Sequence, residues 1–224
     1  ICGFRTFIFI VLRIDCEMEV RPVYDALWPD GPRFFSQPEV FKLGSDAVLL
    51  GDFADMAHVK RACDLGCGSG VIAVLLAWKA PEAEVTALDL SEQAVRLTER
   101  NATANGVADR LRAVHGDLRE IRALLPAGGY DLVACNPPYF PAGSGKCPPS
   151  AELARARGEL ACTLEDVCAA ARYLLRWGGR FAVVFRPERL AELLVTMQAH
   201  RLTPKKLRMV QNLYNSAPSL VLVE

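Results

Sequence analysis

The run Tyr130–Cys135, followed directly by Asn136-Pro137-Pro138-Tyr139, limits the possible folds of this chain more than any other stretch. The run is apolar and partly β-branched, as a buried strand should be. Two consecutive prolines then withhold two backbone donors, so ladder pairing has to stop. The strand therefore ends on an amide side chain and an aromatic ring. In open parallel α/β sheets, the carboxyl edge of the strands is where ligands bind. Upstream, Asp64-Leu65-Gly66-Cys67-Gly68-Ser69-Gly70 follows a second buried run. Its glycines let the backbone turn sharply and come close to a ligand.

The tetrad suits the task of holding a planar amine. Asn136 offers a side-chain carbonyl as acceptor. Pro137 has no N–H, but its own carbonyl is open to a second donor. Tyr139 supplies a flat face for a heterocycle. An isolated Asn-Pro-Pro is only a turn that ends a strand. With the tyrosine after it and the glycine loop upstream, it reads as a site.

Strands are expected at Arg61–Leu65, 84–88, Leu111–His115, Tyr130–Cys135 and 180–185, with the last ones at 206–211 and 219–223. Residues 34–37 can begin a short strand after the Trp28-Pro29-Asp30-Gly31-Pro32 turn. Helices are expected over 47–53, with Asp46 as a cap or a ligand contact, and over Val71–Lys79. A third runs from the Ser91 cap to Asn105-Gly106, and another from Thr163 to Trp177-Gly178-Gly179. Pro187 is placed to open one more. Asp64, Asp89, Asp117 and Asn136 then all fall at strand ends on one edge. Asp89, about 20 residues past the glycine loop, is placed to accept ribose hydroxyls. Asp117 suits an adenine amine, or a cap for the turn that follows it.

The loop is not the dinucleotide fingerprint, since it reads G-x-G-x-G. S-adenosylmethionine has no phosphate to cradle, and the loop together with Asp89 and Asp117 suits it. Glycines alone do not separate the two ligands; the amine-holding tetrad does.

With 224 residues and 51% hydrophobic composition, one domain is expected, over residues 18–224. Net charge is zero, which excludes a global argument for nucleic acid or membrane. Its distribution is uneven: from Arg172 to Arg208 there are nine Lys or Arg, against Glu188 and Glu192 alone. That pattern is either a phosphate-facing surface or a set of solvated faces. Eight cysteines show no C-x-x-C pair, and His58, His115 and His200 have no ligand spacing, so neither disulfides nor a metal is expected. Free thiols imply a reduced, cytoplasmic setting. Residues 4–14 are apolar but too short to span a bilayer, and Arg5 and Arg13 interrupt them. The first methionine is Met18, so residues 1–17 are expected to be a non-native or disordered extension. The strand-like C-terminus is expected to be truncated. The Pro-, Gly- and Ser-rich loop 140–150, with Lys146 and Cys147, is expected to act as a mobile lid.

Over residues 34–224 the chain resembles class I S-adenosylmethionine-dependent methyltransferases, and within them the bacterial tRNA(Val) adenine-N6 methyltransferases. The segments that carry the likeness include Ser36-Gln37, Phe41-Lys42-Leu43-Gly44-Ser45-Asp46, residues 64–70, Asn136-Pro137-Pro138-Tyr139-Phe140 and Arg186-Pro187-Glu188-Arg189-Leu190. The resemblance implies a Rossmann-like α/β fold: a mostly parallel seven-stranded sheet with helices on both faces. It implies methyl transfer to the N6 amine of anticodon-loop adenine 37 in tRNA; no metal is expected, and of the oligomeric states left open a monomer is favoured. It assigns the cofactor to Asp46, Asp64, Gly66, Cys67, Gly68 and Gly70, with Asp89, Leu90, Asp117, Leu118 and Asn136. Catalysis falls to Asn136, Pro137 and Tyr139. Substrate contacts fall to Pro138, Tyr139, Phe140, Lys146, Arg157, Arg186 and Arg189. Family members often carry Ala-Arg-His-Glu where this chain has Ala156-Arg157-Gly158-Glu159.

Four other readings share parts of this pattern. A protein-glutamine methyltransferase uses the same tetrad, but usually has a helical domain before the cofactor domain. An rRNA guanine-N2 methyltransferase favours Phe at the fourth position. An NAD-dependent oxidoreductase leaves the tetrad unexplained. A non-catalytic RNA-binding module would keep a dead pocket.

Overall fold

The computed structural model describes residues 24–35, 44–137 and 162–224. The described chain begins with an antiparallel hairpin, β1 (Tyr24–Ala26) and β2 (Arg33–Phe35), closed by the Trp28-to-Pro32 turn. Helix α1 (Ser45–Phe53) leads into β3 (Arg61–Leu65), α2 (Val71–Lys79), β4 (Glu84–Asp89), α3 (Glu92–Ala104) and β5 (Leu111–His115). A 3-10 turn (Leu118–Glu120) and a short α4 (Ile121–Leu124) come before β6 (Tyr130–Cys135). The chain continues with α5 (Leu164–Leu174), β7 (Leu175–Phe185), a second 3-10 turn (Pro187–Arg189), α6 (Leu190–Ala199), β8 (Leu207–Val210) and β9 (Leu220–Val223).

Seven strands form one sheet in the order β5-β4-β3-β6-β7-β9-β8. Pairing is parallel from β5 across to β7, while β9 runs antiparallel to both of its neighbours. The order reverses between β3 and β6, which makes their carboxyl ends the switch point where a crevice opens. Both faces are covered, so the central strands are apolar throughout rather than alternating. Ala62, Leu132, Ala134 and Val184 point into the core under α1 and α2. Their neighbours Cys63, Val133, Cys135 and Val183 point into the core under α5 and α6. The period-2 geometry of a strand divides one run between two cores.

Helix α2 is buried from Val71 through Ala77, which explains its near-uniform apolar sequence. Lys79, at its end, donates to the carbonyls of Gly51, Asp52 and Ala54, and so satisfies the last turn of α1. Thr163 caps α5 in a full capping box with Asp166, and Ser91 caps α3 by accepting from Ala94 N–H at 3.4 Å.

Three expectations need correction. Asp46 does not cap α1: Gly44 holds the cap position and Asp46 lies in the first turn, where its charge favours the helix N-terminus. The helix from Thr163 ends at Leu174, and Trp177-Gly178-Gly179 belongs to β7. That strand begins five residues earlier than its apolar pattern suggests, because Leu175 pairs with Tyr130 ahead of a bulge and Arg180 then pairs with Leu132. Pro187 opens a 3-10 turn, and α6 begins only at Leu190. The N-terminal extension and the lid at 140–150 lie outside the described residues.

Candidate active site

The site is built at the carboxyl edge of β3, β4, β5 and β6. After Leu65 the chain needs a turn too tight for side chains, and Gly66, Gly68 and Gly70 all take left-handed φ values, 74°, 55° and 77°. The loop is pinned from several directions. Gly66 and Cys67 N–H groups both donate to the Leu88 carbonyl, at 2.8 and 3.0 Å. Thr98 Oγ1 donates to the Gly68 carbonyl at 3.2 Å, and Asn101 Nδ2 to the Ser69 carbonyl at 2.8 Å. Asn101 also accepts from the Phe35 N–H, while Asn105 bridges both backbone groups of Arg33. Helix α3 thereby ties the N-terminal hairpin to the glycine loop.

A Cβ at Gly70 would lie 2.8 Å from both Thr98 Oγ1 and Cγ2, in addition to the strain of its φ. Gly70→Ala is expected to destabilise the fold by about 2–4 kcal/mol, measured as a lowered urea midpoint at unchanged slope.

Asp89 ends β4 with its carboxylate in the cleft. Oδ2 accepts from Gly68 N–H at 2.8 Å and Oδ1 from Ser91 N–H at 2.9 Å. Burial raises its pKa, and the two N–H groups act in the opposite direction. Asp64, the penultimate residue of β3, is fully buried and accepts from Ala73 N–H at 3.1 Å. Its other oxygen has no hydrogen-bond partner among the described residues. Burial pushes this carboxyl up to about 7.

That shift makes stability depend on pH. An unfolded aspartate loses its proton near pH 4, while the folded Asp64 keeps it to about pH 7. Between those values the folded state binds more protons, so its contribution is fully present below about pH 4 and is lost as pH rises through 7. The loss is on the order of 4 kcal/mol for a shift of this size. Asp64→Asn is expected to flatten the fall in stability between pH 4 and 7, as read from urea midpoints across that range.

A cleft of about 350 Å³ opens beside these groups, lined by Gly66, Gly68, Asp89, Asp117, Asn136 and Pro137, with Leu65, Leu88, Leu90 and Leu118 as apolar wall. Its size and mix of apolar wall and few polar groups suit a nucleoside-sized ligand. Asp117 lines it while capping the 3-10 turn through Arg119 N–H and pairing with the Arg119 guanidinium, which holds its carboxyl below the usual range. Asn136 and Pro137, which follow β6, line it too. Of the cofactor residues expected from sequence, seven therefore line one cleft: Gly66, Gly68, Asp89, Leu90, Asp117, Leu118 and Asn136.

The others stand elsewhere. Cys67 is buried against Thr98 and Gly70 starts α2, so both shape the loop from behind. Asp64 supports α2 from within the core, and Asp46 is on α1. Arg186 donates to the Ser219 carbonyl at 3.2 Å, and Arg189 pairs with Glu192 over the Phe185 ring. Neither lines the cleft. Pro138, Tyr139, Phe140, Lys146 and Arg157 lie outside the described residues. The sequence reading missed Thr98 and Asn101, which hold the loop, and Arg119, Cys162 and Val167, which line the cleft. Only the short polar side chains of Asn101 and Thr98 inside an otherwise amphipathic helix hinted at such a role. Among the described residues, no three His, Cys, Asp or Glu side chains are grouped to hold a metal ion, and no helix is long and apolar enough to cross a membrane.

A doubly wound sheet with β9 reversed, a glycine loop after β3, an acid ending β4 and Asn-Pro ending β6 defines a class I methyltransferase fold. The chain belongs to the methyltransferase small-domain family, whose model matches residues 32–203. Two relatives, from Tolumonas auensis and Porphyromonas gingivalis, are both named tRNA1(Val) (adenine(37)-N6)-methyltransferase. The first is 32% identical over 81% of this chain and 75% of its own length. The second is 31% identical over 82% of this chain and 73% of its own length. Among solved structures, a predicted O-methyltransferase from Agrobacterium tumefaciens matches with a TM-score of 0.61 at 22% identity, covering 80% of this chain and 78% of that one. TrmN from Thermus thermophilus matches with a TM-score of 0.51 at 25% identity, covering 80% of this chain and 47% of that one.

Proposed function

We propose that this methyltransferase acts on the N6 amine of an adenine in tRNA, adenine 37 of a valine tRNA, with S-adenosylmethionine as methyl donor. The observation that carries the reading is that Asn136 and Pro137 open onto the same cleft as Asp89 and the glycine loop. A group that accepts from an amine and a pocket suited to a nucleoside thus share one space. The relatives' names support the tRNA adenine.

The Asp89 carboxylate and the glycine backbone that line the cleft fit a ligand with hydroxyl donors and no phosphate. S-adenosylmethionine, when bound, supplies an electrophilic methyl on a sulfonium. Asp89 would accept the ribose hydroxyls, and Asp117 the adenine amine of the donor. The Asn136 carboxamide oxygen and the Pro137 carbonyl would accept the two N–H groups of the target amine. Those two bonds draw the nitrogen lone pair out of conjugation with the ring and fix its direction. Tyr139 is assigned by its sequence position to stack on the target base, which is unpaired in a loop or flipped out. Holding two reactants in line contributes on the order of 7–11 kcal/mol in favourable cases. Leu65, Leu88 and Leu118 give that space an apolar wall. The methylated nitrogen is a strong acid while positively charged, so its proton passes to water without a strong general base.

The test is transfer of labelled methyl from S-adenosylmethionine to unmodified total tRNA, followed by nucleoside analysis. N6-methyladenosine in the valine-accepting fraction is the expected result. A blank tRNA pool alongside a labelled release factor would move the substrate to a protein glutamine.

A further inference from the structure

The edge of the sheet opposite the active site carries a second, larger concavity that methyl transfer does not use. It is a groove of about 640 Å³ between the start of β7 and the end of α6. Its floor is apolar, from Leu175, Phe181, Met197 and Leu202, all buried. Its rim is basic: Arg172, Arg176, Arg180, Arg201 and Lys205 line it, against Glu224 as the acidic lining residue. Arg176 is paired with Asp131 and Arg180 with Asp55. No ion pair engages Arg172, Arg201 or Lys205 among the described residues, and all three are exposed. This is where much of the uneven basic charge of the C-terminal third collects.

Trp177 stands in the same groove, 94% exposed. A tryptophan so exposed forfeits most of the burial that its large ring could gain. It is held out by a built feature. Gly178 takes a φ of 75°, and a Cβ at Gly179 would lie 3.1 Å from the carbonyl oxygens of both Arg176 and Tyr130. The glycines and Trp177 lie within the β7 bulge, between the Leu175–Tyr130 pair and the point at Arg180 where the strand resumes its pairing.

We infer that this groove is a second RNA-contact surface, with phosphates on Arg172, Arg201 and Lys205 and an unpaired base stacked on Trp177. A flat aromatic face beside a track of cations is the arrangement that binds single-stranded or looped nucleic acid without reading its sequence. The inference rests on the proposed tRNA substrate. Trp177 lies at the amino end of β7 and Asn136 at the carboxyl end of β6, so the two contacts fall on opposite edges of the sheet. A folded RNA therefore has to reach from one edge of the sheet to the other to touch both. The groove supplies affinity and orientation, while the cleft supplies chemistry.

The experiment measures binding of a fluorescent unmodified valine tRNA transcript across a salt series, for wild type, Arg201→Glu/Lys205→Glu and Trp177→Ala. S-adenosylmethionine binding is followed in parallel, and should be unchanged in both variants because neither touches the cleft. The charge-reversed variant should bind tRNA at least about tenfold more weakly and lose about two from the salt slope. Trp177→Ala should bind at least about fivefold more weakly. Wild-type affinity and slope in the charge-reversed variant would overturn the inference, as would weakening with no change in slope, or a wild type that binds no RNA. If the groove variants lose tRNA binding but the wild type transfers no methyl to tRNA, the groove stands and the proposed activity falls. If the wild type methylates tRNA and the variants bind and methylate as well as it does, the activity stands and the groove falls.

Discussion

Asn136→Ala is expected to transfer methyl about a thousandfold more slowly than wild type, with S-adenosylmethionine affinity changed by no more than about twofold. The asymmetry follows from where the side chain stands. Asn136 follows the last residue of β6, which pairs with β3, whereas Asp89 ends β4 on the other side of β3. In the proposed role, removing its carboxamide takes away one of the two acceptors for the target amine and leaves the donor's pocket in place. A thousandfold corresponds to about 4 kcal/mol in the barrier, more than a neutral hydrogen bond contributes to stability. The difference arises because the bond is worth most when the nitrogen begins to carry positive charge. Single-turnover rates and calorimetric cofactor binding on the same preparation separate the two effects. Equal loss of turnover and of cofactor binding would show that Asn136 holds the donor rather than the acceptor base. Asn136→Asp is a useful companion, because it keeps an acceptor in the same place and adds charge; it should retain more activity than the alanine variant.

The second large effect is expected at Asp89. Asp89→Ala should weaken S-adenosylmethionine binding about a hundredfold and lower thermal stability by several degrees, since two charge-assisted bonds of about 1.5–3 kcal/mol each are lost. In the folded protein this carboxylate accepts from Gly68 N–H at 2.8 Å and Ser91 N–H at 2.9 Å, so it braces the glycine loop and the start of α3 as well as facing the cleft. Without it, both donors lose their partner at a partly buried position. Asp89→Asn should fall between the two, because an amide accepts from one of the N–H groups but turns its own NH₂ toward the other. Differential scanning calorimetry with and without cofactor checks the prediction: the free protein should melt several degrees lower, and the cofactor-induced rise in melting temperature should also shrink, by the equivalent of about 2.7 kcal/mol. A full cofactor-induced shift in Asp89→Ala would remove Asp89 from the binding role.

The central strands and their connecting helices were legible in the residues alone. Arg61–Leu65, Leu111–His115, Tyr130–Cys135 and Val71–Lys79 appear with the bounds expected of them. The reason is local: a buried strand needs an unbroken apolar run, and glycine or consecutive prolines end it whatever surrounds it. The placement of Asp89, Asp117 and Asn136 on one edge was legible for a related reason, since parallel strands joined by helices all end on the same side. The errors came where a distant partner decides. Nothing near Trp177 announces that β7 has already begun. Its pairing with Tyr130 across the sheet makes it a strand, and the bulge absorbs two glycines that read locally as the end of a helix.

The division of labour among the acids shows the same limit. Asp64, Asp89 and Asp117 look alike as strand-end carboxylates, yet one is sealed in the core with an oxygen left over, one lies in the cleft between two N–H donors, and one is paired with Arg119. Those differences are set by how far each strand end protrudes past its neighbours and by which helix packs behind it. Sequence by itself determined that this chain makes a doubly wound sheet, with a glycine loop and an Asn-Pro pair at one edge, because strand endings and turn chemistry are written in adjacent residues. Only the tertiary structure decided which acid faces the cleft, that Thr98 and Asn101 lock the loop, and that scattered arginines gather around an exposed tryptophan. Burial and charge pairing are properties of neighbours brought together from far apart in the chain, and no local pattern encodes them.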